Sequence, residues 1–457
     1  MEEKMQRRFI IEKFGKIERA EIQVSPLTLF VGDNNSGKSY LLSLLWAIYS
    51  AEDTSAIFHN FTQLQIKKKQ EVYDQLCKFV LEADKNPEQE IELSSQIFVD
   101  ILNEILEENK DRFVASIFNS DQVTIGKLAV EIDQEFSVKI VSQREERGIK
   151  FYFVQKDFAI TFSDGVRKDN YQLVTNVLIL NLLLWFLKGE NEAYSFNTVY
   201  LPAARTGFVL AKNVINRVGR QIAYDISEYY DKSRRMQIQP FTKPVIRFLD
   251  MLEELSAENK TQYAEIVNWM EQSMTNGKVQ YGGEAGAEEI RYVPEGSPDS
   301  LPLRTSSAVV TEVTPLLMLL KYGYKLKTIC YEEPEMCLHP RLQQEMGKLL
   351  IRLVNSGVTM ITTTHSDIII QHINNMCQLK EIGAPKELMD RLELSNKDVI
   401  DLQNVAVYQF TDQGAYSVIE RVMPENGQFQ IHTFSDALLE ILQQTSEVQD
   451  YEPEQEG

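Results

Sequence analysis

Gly32-Asp33-Asn34-Asn35-Ser36-Gly37-Lys38-Ser39 is the stretch on which the reading of this chain turns. It fits G-x-x-x-x-G-K-[ST], a loop whose backbone N–H groups cradle phosphates. Its flanks are the ones such a loop needs. Leu27-Thr28-Leu29-Phe30-Val31 before it is apolar, β-prone and of strand length. Tyr40-Leu41-Leu42-Ser43-Leu44-Leu45-Trp46-Ala47-Ile48 after it reads as a buried helix. Gly32 and Gly37 let the backbone bend so that successive N–H groups face an anion. The helix N-terminus adds partial positive charge. Lys38 is expected to reach the β- and γ-phosphates of ATP, and Ser39 to bind Mg²⁺ through its hydroxyl, with Tyr40 beside them. Eight matching residues alone can arise in any Gly/Asn turn; strand, loop and helix in that order make the match specific.

Upstream, residues 9–31 read as β segments, with Ser25-Pro26 as a turn into the loop strand. Phe14 reads as a core aromatic, with adenine stacking as the alternative. Downstream, Glu52 to Phe113 is helical and charged. Val72, Leu76, Phe79 and Val80 share one face, Ile97, Ile101, Ile105 and Leu106 another, and Asn86-Pro87 parts the two helices. Residues 122–163 return to β, with strands at Val123-Thr124-Ile125, Phe136–Val141 and Lys150–Val154. Leu173–Leu187 is very apolar but short for a bilayer, and reads as a buried core helix. Residues 208–274 read as helical with breaks at Pro240 and Pro244. Lys278–Tyr281 and Glu289–Val293 would pair as a hairpin.

The 457 residues carry 67 acidic and 47 basic side chains, a formal net charge of −20. That balance disfavours broad, non-specific nucleic-acid binding. Lys67-Lys68-Lys69 and Arg234-Arg235 are the local basic exceptions, read as solvated helix faces. Cys77, Cys330, Cys337 and Cys377 are too few and too scattered for a disulfide framework, and none forms a C-x-x-C pair. The N-terminal residues lack the apolar run of a signal peptide, so a reducing cytoplasm is the expected compartment.

Three further stretches carry chemistry. Thr328-Ile329-Cys330-Tyr331 is a short apolar strand ending in Glu332-Glu333-Pro334-Glu335. A nucleotide hydrolase needs such acids opposite its phosphate loop: Glu332 to hold Mg²⁺, Glu333 to orient or deprotonate the attacking water. Val358–Thr364 is a β-branched strand ending at His365-Ser366-Asp367, which places His365 at the ligand edge of an α/β sheet, within reach of a γ-phosphate. Ser306 and Ser307 precede the apolar helix Val309–Leu320. They are natural N-caps, and small hydroxyl residues at a helix start can also hold phosphate.

Taken in order, these pieces resemble the ABC-type ATPase heads of the SMC, Rad50 and OLD-like group, also classed with AAA-family ATPases. The resemblance rests on Gly32–Ser39 as Walker A and on Ser306-Ser307-Ala308 as a degenerate signature. Ile329–Glu335 with Leu338-His339-Pro340 stand for Walker B and D-loop, and His365 for the switch histidine. It covers residues 9–50 and 300–375, and the Tyr200–Gly207 segment is similar too. The signature lacks the second glycine and the glutamine of its usual form, and no glutamine is assignable to the Q-loop.

The resemblance implies an α/β fold: an ABC-type P-loop core with a mixed sheet and helical insertions. On that frame, 1–51 is the N-terminal part of the core, 52–121 a helical insertion and 122–207 a β-rich and core-helix part. A second helical insertion follows at 208–276, the C-terminal core at 277–446 and an acidic tail at 447–457. The resemblance further implies a slow ATPase built on head-to-head dimers. Gly32–Ser39, Glu332, Glu333 and His365 of one subunit would face Ser306 and Ser307 of the other, with Glu333 as catalytic carboxylate. No long coiled coil is evident, and residues 366–457 show no acidic cluster for a TOPRIM nuclease. A self-standing head of this kind is similar to the ATPase subunits of bacterial anti-phage systems such as PARIS and Septu, in which a separate, nuclease-like effector acts. A DNA-repair ATPase of the RecF or Rad50 kind, contacting DNA directly, is the alternative; no membrane role is expected.

Overall fold

The computed structural model describes residues 5–50, 57–58, 70–154, 158–189, 197–212, 214–215, 241–256, 259, 261–282 and 289–449. Lys67-Lys68-Lys69, Arg234-Arg235 and Pro240 lie outside them.

In chain order, β1 (Arg7–Phe14), β2 (Ile17–Ile22) and β3 (Leu27–Gly32) lead into α1 (Lys38–Tyr49). Then come α2 (Gln70–Glu82), β4 (Glu90–Ser94) and α3 (Ser95–Phe118). Strands β5 (Lys127–Ile132), β6 (Ser137–Arg144), β7 (Ile149–Phe153) and β8 (Phe158–Phe162) precede α4 (Tyr171–Lys188) and β9 (Thr198–Leu201). Next are α5 (Lys243–Glu254), α6 (Ala264–Ser273), β10 (Gly277–Gly282), β11 (Glu289–Pro294) and β12 (Leu301–Pro302). The chain continues with α7 (Ala308–Tyr322), β13 (Thr328–Glu332), α8 (Pro340–Asn355), β14 (Thr359–Thr363) and α9 (Asp367–Glu381). It closes with α10 (Lys386–Arg391), β15 (Val405–Asp412), β16 (Ser417–Val422) and α11 (His432–Gln449).

Two compact units form. The first comprises Met1–Gly15, Arg19–Gln23 and Ala47–Phe196; the second comprises Lys16–Glu18, Val24–Trp46 and Asn197–Gly457. In the first, β1 pairs antiparallel with β5, and β4-β6-β7-β8 form an antiparallel sheet. Strand β7 alternates buried and half-buried residues, the pattern of a sheet covered on one face. Helix α4 is the one helix among the described residues long and apolar enough to cross a membrane; most of it is buried in this unit, from Val174 to Lys188.

In the second unit the strand order is β16-β15-β3-β14-β13-β9. Strand β3 runs parallel to β14 on one side and β15 on the other, with Leu27 opposite both Met360 and Val405. Strand β13 is parallel to β14 and β9, with Thr328 opposite Thr359 and Thr198. Every residue of β3 and of β13 is buried, because helices cover both faces of a parallel sheet. Helices α7, α8 and α9 bury Leu317, Leu350 and Ile369 in the same core as Leu29 and Ile329. The parallel strands β9, β13, β14 and β3 end on one edge, where open α/β sheets bind ligands. The fold is therefore the expected α/β arrangement, with a mixed sheet.

Several expectations need correction. Val123–Ile125 is not a strand; β5 begins at Lys127, where Lys127–Ile132 pairs with Glu12–Arg7. The stretch 52–121 is not wholly helical, because Glu90-Ile91-Glu92-Leu93-Ser94 pairs with β6. Pro244 does not break a helix but sits in the first turn of α5, where its missing N–H has no intrahelical partner to lose. Residues 447–449 of the expected tail are the end of α11; residues 450–457 lie outside the described residues.

Candidate nucleotide site

The site grows from the end of β3. Gly32 has φ +118°, and a Cβ there would lie 2.0 Å from the Phe410 carbonyl oxygen. That oxygen accepts the Asp33 N–H at 3.0 Å. Gly37 has φ +98°, with the Ile17 side chain 2.9 Å from where a Cβ would stand. Both glycines are thus required by backbone conformation and by close approach. Asp33 Oδ2 accepts the Asp412 N–H at 2.9 Å, so the loop is pinned to β15 twice. Ser36 Oγ donates to Asp33 O at 2.7 Å.

Lys38 opens α1 and is only 6 % exposed. Its ammonium donates to Gly32 O at 3.1 Å and to Asp33 O, with Ser36 Oγ at 3.4 Å. Burial pulls its pKa down from 10.5 to about 8, against the opposing pull of Glu333, Asp33 and Glu335. Asn34, Asn35, Ser39 and Tyr40 are exposed at the mouth of the loop.

Strand β13 delivers the acids. Glu332 is buried, and its Oε2 accepts the Ala203 N–H at 2.9 Å. Glu333 turns sharply, with φ +40°. Its N–H is held by Thr363 O at 3.0 Å and Thr363 Oγ1 at 3.2 Å. Burial, then the neighbouring Glu332, raises the Glu333 carboxyl above the usual carboxylate range. Glu335 is raised by burial as well, and its Oε1 accepts the His365 N–H at 2.5 Å. His365 Nε2 lies 3.9 Å from Glu333 Oε1. Burial and the charge of Lys38 lower the His365 pKa, leaving a neutral imidazole at pH 7.

Lys38, Glu333 and His365, up to 327 positions apart in the sequence (38 to 365), thus meet at one strand-end edge. Ser306 and Ser307 bond locally instead. Ser307 caps α7 by accepting the Val310 N–H at 3.4 Å, and Ser306 N–H bonds Leu303 O at 3.0 Å. Ser306 Oγ is buried without a hydrogen-bond partner.

Residues 5–370 match the AAA ATPase domain. The chain belongs to the AAA ATPase domain family. No curated protein matches it in sequence. Among solved structures it is similar to an SMC head bound to the C-terminal winged-helix domain of ScpA, at 12% identity and TM-score 0.38, over 92% of this chain and 97% of that one. It is similar to the SMC head domain from Thermotoga maritima at 11% identity and TM-score 0.36, over 92% and 100%. A Pyrococcus furiosus Smc head with an extended coiled coil, bound to the C-terminal domain of ScpA, gives 12% identity and TM-score 0.34, over 96% and 98%.

The residues of this AAA ATPase domain fit its nucleotide. The two glycines leave a cradle that side chains would fill, and a buried ammonium stands at its floor. They also fit Mg²⁺, which takes few protein ligands and keeps water and phosphate oxygens for the rest. Ser39 offers an exposed hydroxyl, and Glu332 a carboxylate with one oxygen fixed by Ala203. Among the described residues there is no group of three or more His, Cys, Asp or Glu that could hold a metal ion by itself.

One residue beside this candidate site has no role in the sequence analysis, although its segment, Tyr200–Gly207, is noted there. Arg205 is wholly buried just beyond β9, and donates to Glu332 O at 2.7 Å and Glu333 O at 3.0 Å. The available signal was a lone arginine among small residues, Ala203-Ala204-Arg205-Thr206-Gly207, directly after a short strand.

Proposed function

We propose that this chain is an ATP-hydrolysing head of the ABC type, and that its nucleotide cycle acts as a sensor or scaffold controlling a separate effector protein in bacterial anti-phage defence. The observation that carries the hydrolytic part is the meeting of Lys38, Glu333 and His365 at the ends of β3, β13 and β14.

In this reading Gly32–Ser39 holds the phosphates with backbone N–H groups and the start of α1. Lys38 exchanges its bonds to Gly32 O and Asp33 O for the β- and γ-phosphates. Bound Mg²⁺, held by Ser39 and Glu332, supplies charge neutralisation of the phosphates. Glu333 takes the proton of the attacking water; its raised pKa makes it a better proton acceptor than an exposed carboxylate. His365, neutral at pH 7, donates a hydrogen bond to the γ-phosphate. Ser306 and Ser307 of a second head complete the site in trans, which supports a homo-oligomer built on head-to-head dimers. The unpartnered Ser306 Oγ supports that assignment.

The switch follows from such a cycle: an effector that binds the ATP-closed and open states with different affinity is held in one and released in the other. The net charge of −20 favours a protein effector over DNA as the main ligand. Two experiments test the reading. Glu333→Gln should bind ATP, slow hydrolysis by about 10²–10⁴-fold and accumulate a closed dimer; turnover within a few-fold of the parent rejects Glu333 as the base. A titration with duplex DNA at two salt concentrations should show weak binding, beside co-purification of an effector from the native host. Tight, steeply salt-dependent DNA binding with no co-purifying protein replaces the switch with a DNA-repair role.

A further inference from the structure

Arg205 is a wholly buried guanidinium held on several sides. Its guanidinium donates to Pro202 O at 3.0 Å, Glu332 O at 2.7 Å and Glu333 O at 3.0 Å. It is ion-paired with Glu312, itself 1% exposed, and stands 4.7 Å from the centre of the Tyr331 ring. Thr206 Oγ1 donates to the other oxygen of Glu312, and Ala203 N–H to the carboxylate of Glu332. The segment 202–206 therefore grips the acidic turn from both its backbone and its side chain.

Two features make this more than filling of the core. The residue Arg205 holds by its carbonyl, Glu333, is at φ +40°, a conformation that non-glycine residues rarely adopt. Such a turn persists only where its surroundings over-determine it. Here the Glu333 N–H is fixed by Thr363 and its C=O by Arg205, one on each side of the strained Cα. Second, Glu312 lies on α7, the helix capped by Ser307. The planar guanidinium fork thus joins the helix that begins at the serine pair to the turn that aims the Glu333 carboxylate.

We infer that Arg205 is a positioning residue for Glu333, and that its pairing with Glu312 transmits displacement of the α7 N-terminus to that carboxylate. The inference rests on the reading of Glu333 as the base for ATP hydrolysis. If a second head engages Ser306 and Ser307, α7 shifts, Arg205 follows Glu312, and the peptide on either side of Glu333 moves with it. Hydrolysis then depends on head engagement through a path inside one subunit, in addition to groups supplied by the partner.

The test uses the full chain. Removing one partner of a buried ion pair is strongly destabilising, so Arg205→Lys is preferred to alanine: it keeps the charge and loses the fork. Glu312→Gln keeps the volume and loses the charge. Each is measured for thermal midpoint, affinity for a fluorescent ATP analogue, and turnover, beside the parent and Glu333→Gln. A misplacement of about 1 Å at a reacting group can lower rate by about 10²-fold. Arg205→Lys should therefore fold, bind nucleotide within about threefold of the parent, and lose about 10²-fold in kcat, with Glu312→Gln losing about tenfold. A folded Arg205→Lys with kcat within about threefold of the parent overturns the inference. If Arg205→Lys fails to fold, Glu312→Gln decides by the same criterion. Failure of both to fold, or parallel loss of affinity and kcat, assigns the pair to structure alone and also overturns it. Parent-like turnover in Glu333→Gln would instead overturn the assigned base, whatever Arg205 does.

Discussion

ATP affinity should fall as pH rises through about 8, because the ammonium that meets the phosphates is partly neutral above that pH. Burial at the floor of the loop brings Lys38 down from 10.5 to about 8. It is then about nine-tenths charged at pH 7 and about one-tenth charged at pH 9. Bound phosphates are opposite charges close by and favour the charged form, so binding above pH 8 takes up a proton. Kd should rise by up to about tenfold per pH unit between 8 and 10. Stability of the unliganded protein runs the other way. Between about 8 and 10.5 the unfolded chain holds more protons on Lys38 than the folded one, so this residue's contribution to stability rises with pH there. The burden relieved is about 3 kcal/mol at most. Lys38→Met should consequently be at least as stable as the parent without nucleotide, while losing ATP binding. Equilibrium titration with a fluorescent ATP analogue at constant ionic strength, from pH 7 to 9.5, reads the effect. Lys38→Arg, charged throughout, provides the flat control. A parent Kd that stays constant over that range would refute the placement of a buried, perturbed Lys38 on the phosphates.

Three further outcomes are expected. Gly32→Ala forces a Cβ to 2.0 Å from Phe410 O at φ +118°; strain and overlap each cost about 1–3 kcal/mol, so the thermal midpoint should drop and ATP binding should weaken, and an unchanged midpoint contradicts the close approach. Turnover should fall as pH drops through the Glu333 pKa, which burial and Glu332 hold above the ordinary carboxylate range; a pH–rate profile with its acid limb at or below that range is inconsistent with Glu333 as base. Asp398 accepts from Arg352 Nε at 2.6 Å and Nη2 at 3.2 Å; burial opposes its ionisation, but Arg352 and Ser395 outweigh it and hold the pKa low. Its stabilisation is then present above the unfolded carboxylate pKa and is lost as pH falls through the folded one. Asp398→Ala leaves Arg352 unpaired against Trp269 and should cost about 3–5 kcal/mol, read as a lower urea midpoint with unchanged slope.

The parts legible in the sequence are those whose cause is local. An apolar run, two glycines at fixed spacing and a helical run needed no other part of the chain to be read as strand, loop and helix. The same holds for Thr328–Glu332 and Thr359–Thr363, whose β-branched and apolar residues predict buried strands and whose ends carry the acids and His365. Strands β4 and β5 were less legible because Glu90, Glu92, Lys127 and Ala129 have weak strand preference. What makes them strands is pairing with β6 and β1, far along the chain. Pro244 misled for the opposite reason: a proline that would stop a helix from inside can also begin one, and the local signal is the same.

Arg205 and the turn at Glu333 were illegible for a deeper reason. Reading acids after a strand identifies Glu332 and Glu333, but says nothing of where the second carboxylate points. That direction depends on φ +40° at Glu333, which the residue type disfavours by about 1–2 kcal/mol. The opposing interactions come from Thr363, thirty positions on, and from Arg205, 128 positions back. Local preference and native conformation disagree at this residue, whereas they agree along the strand leading to it. Such disagreement in an otherwise consistent chain marks strain held in place by tertiary bonds. The acid best placed beside Lys38 and His365 is thus also the one whose conformation the local sequence disfavours. Its neighbour Glu332, fixed by Ala203 at the end of a regular strand, needs no such support.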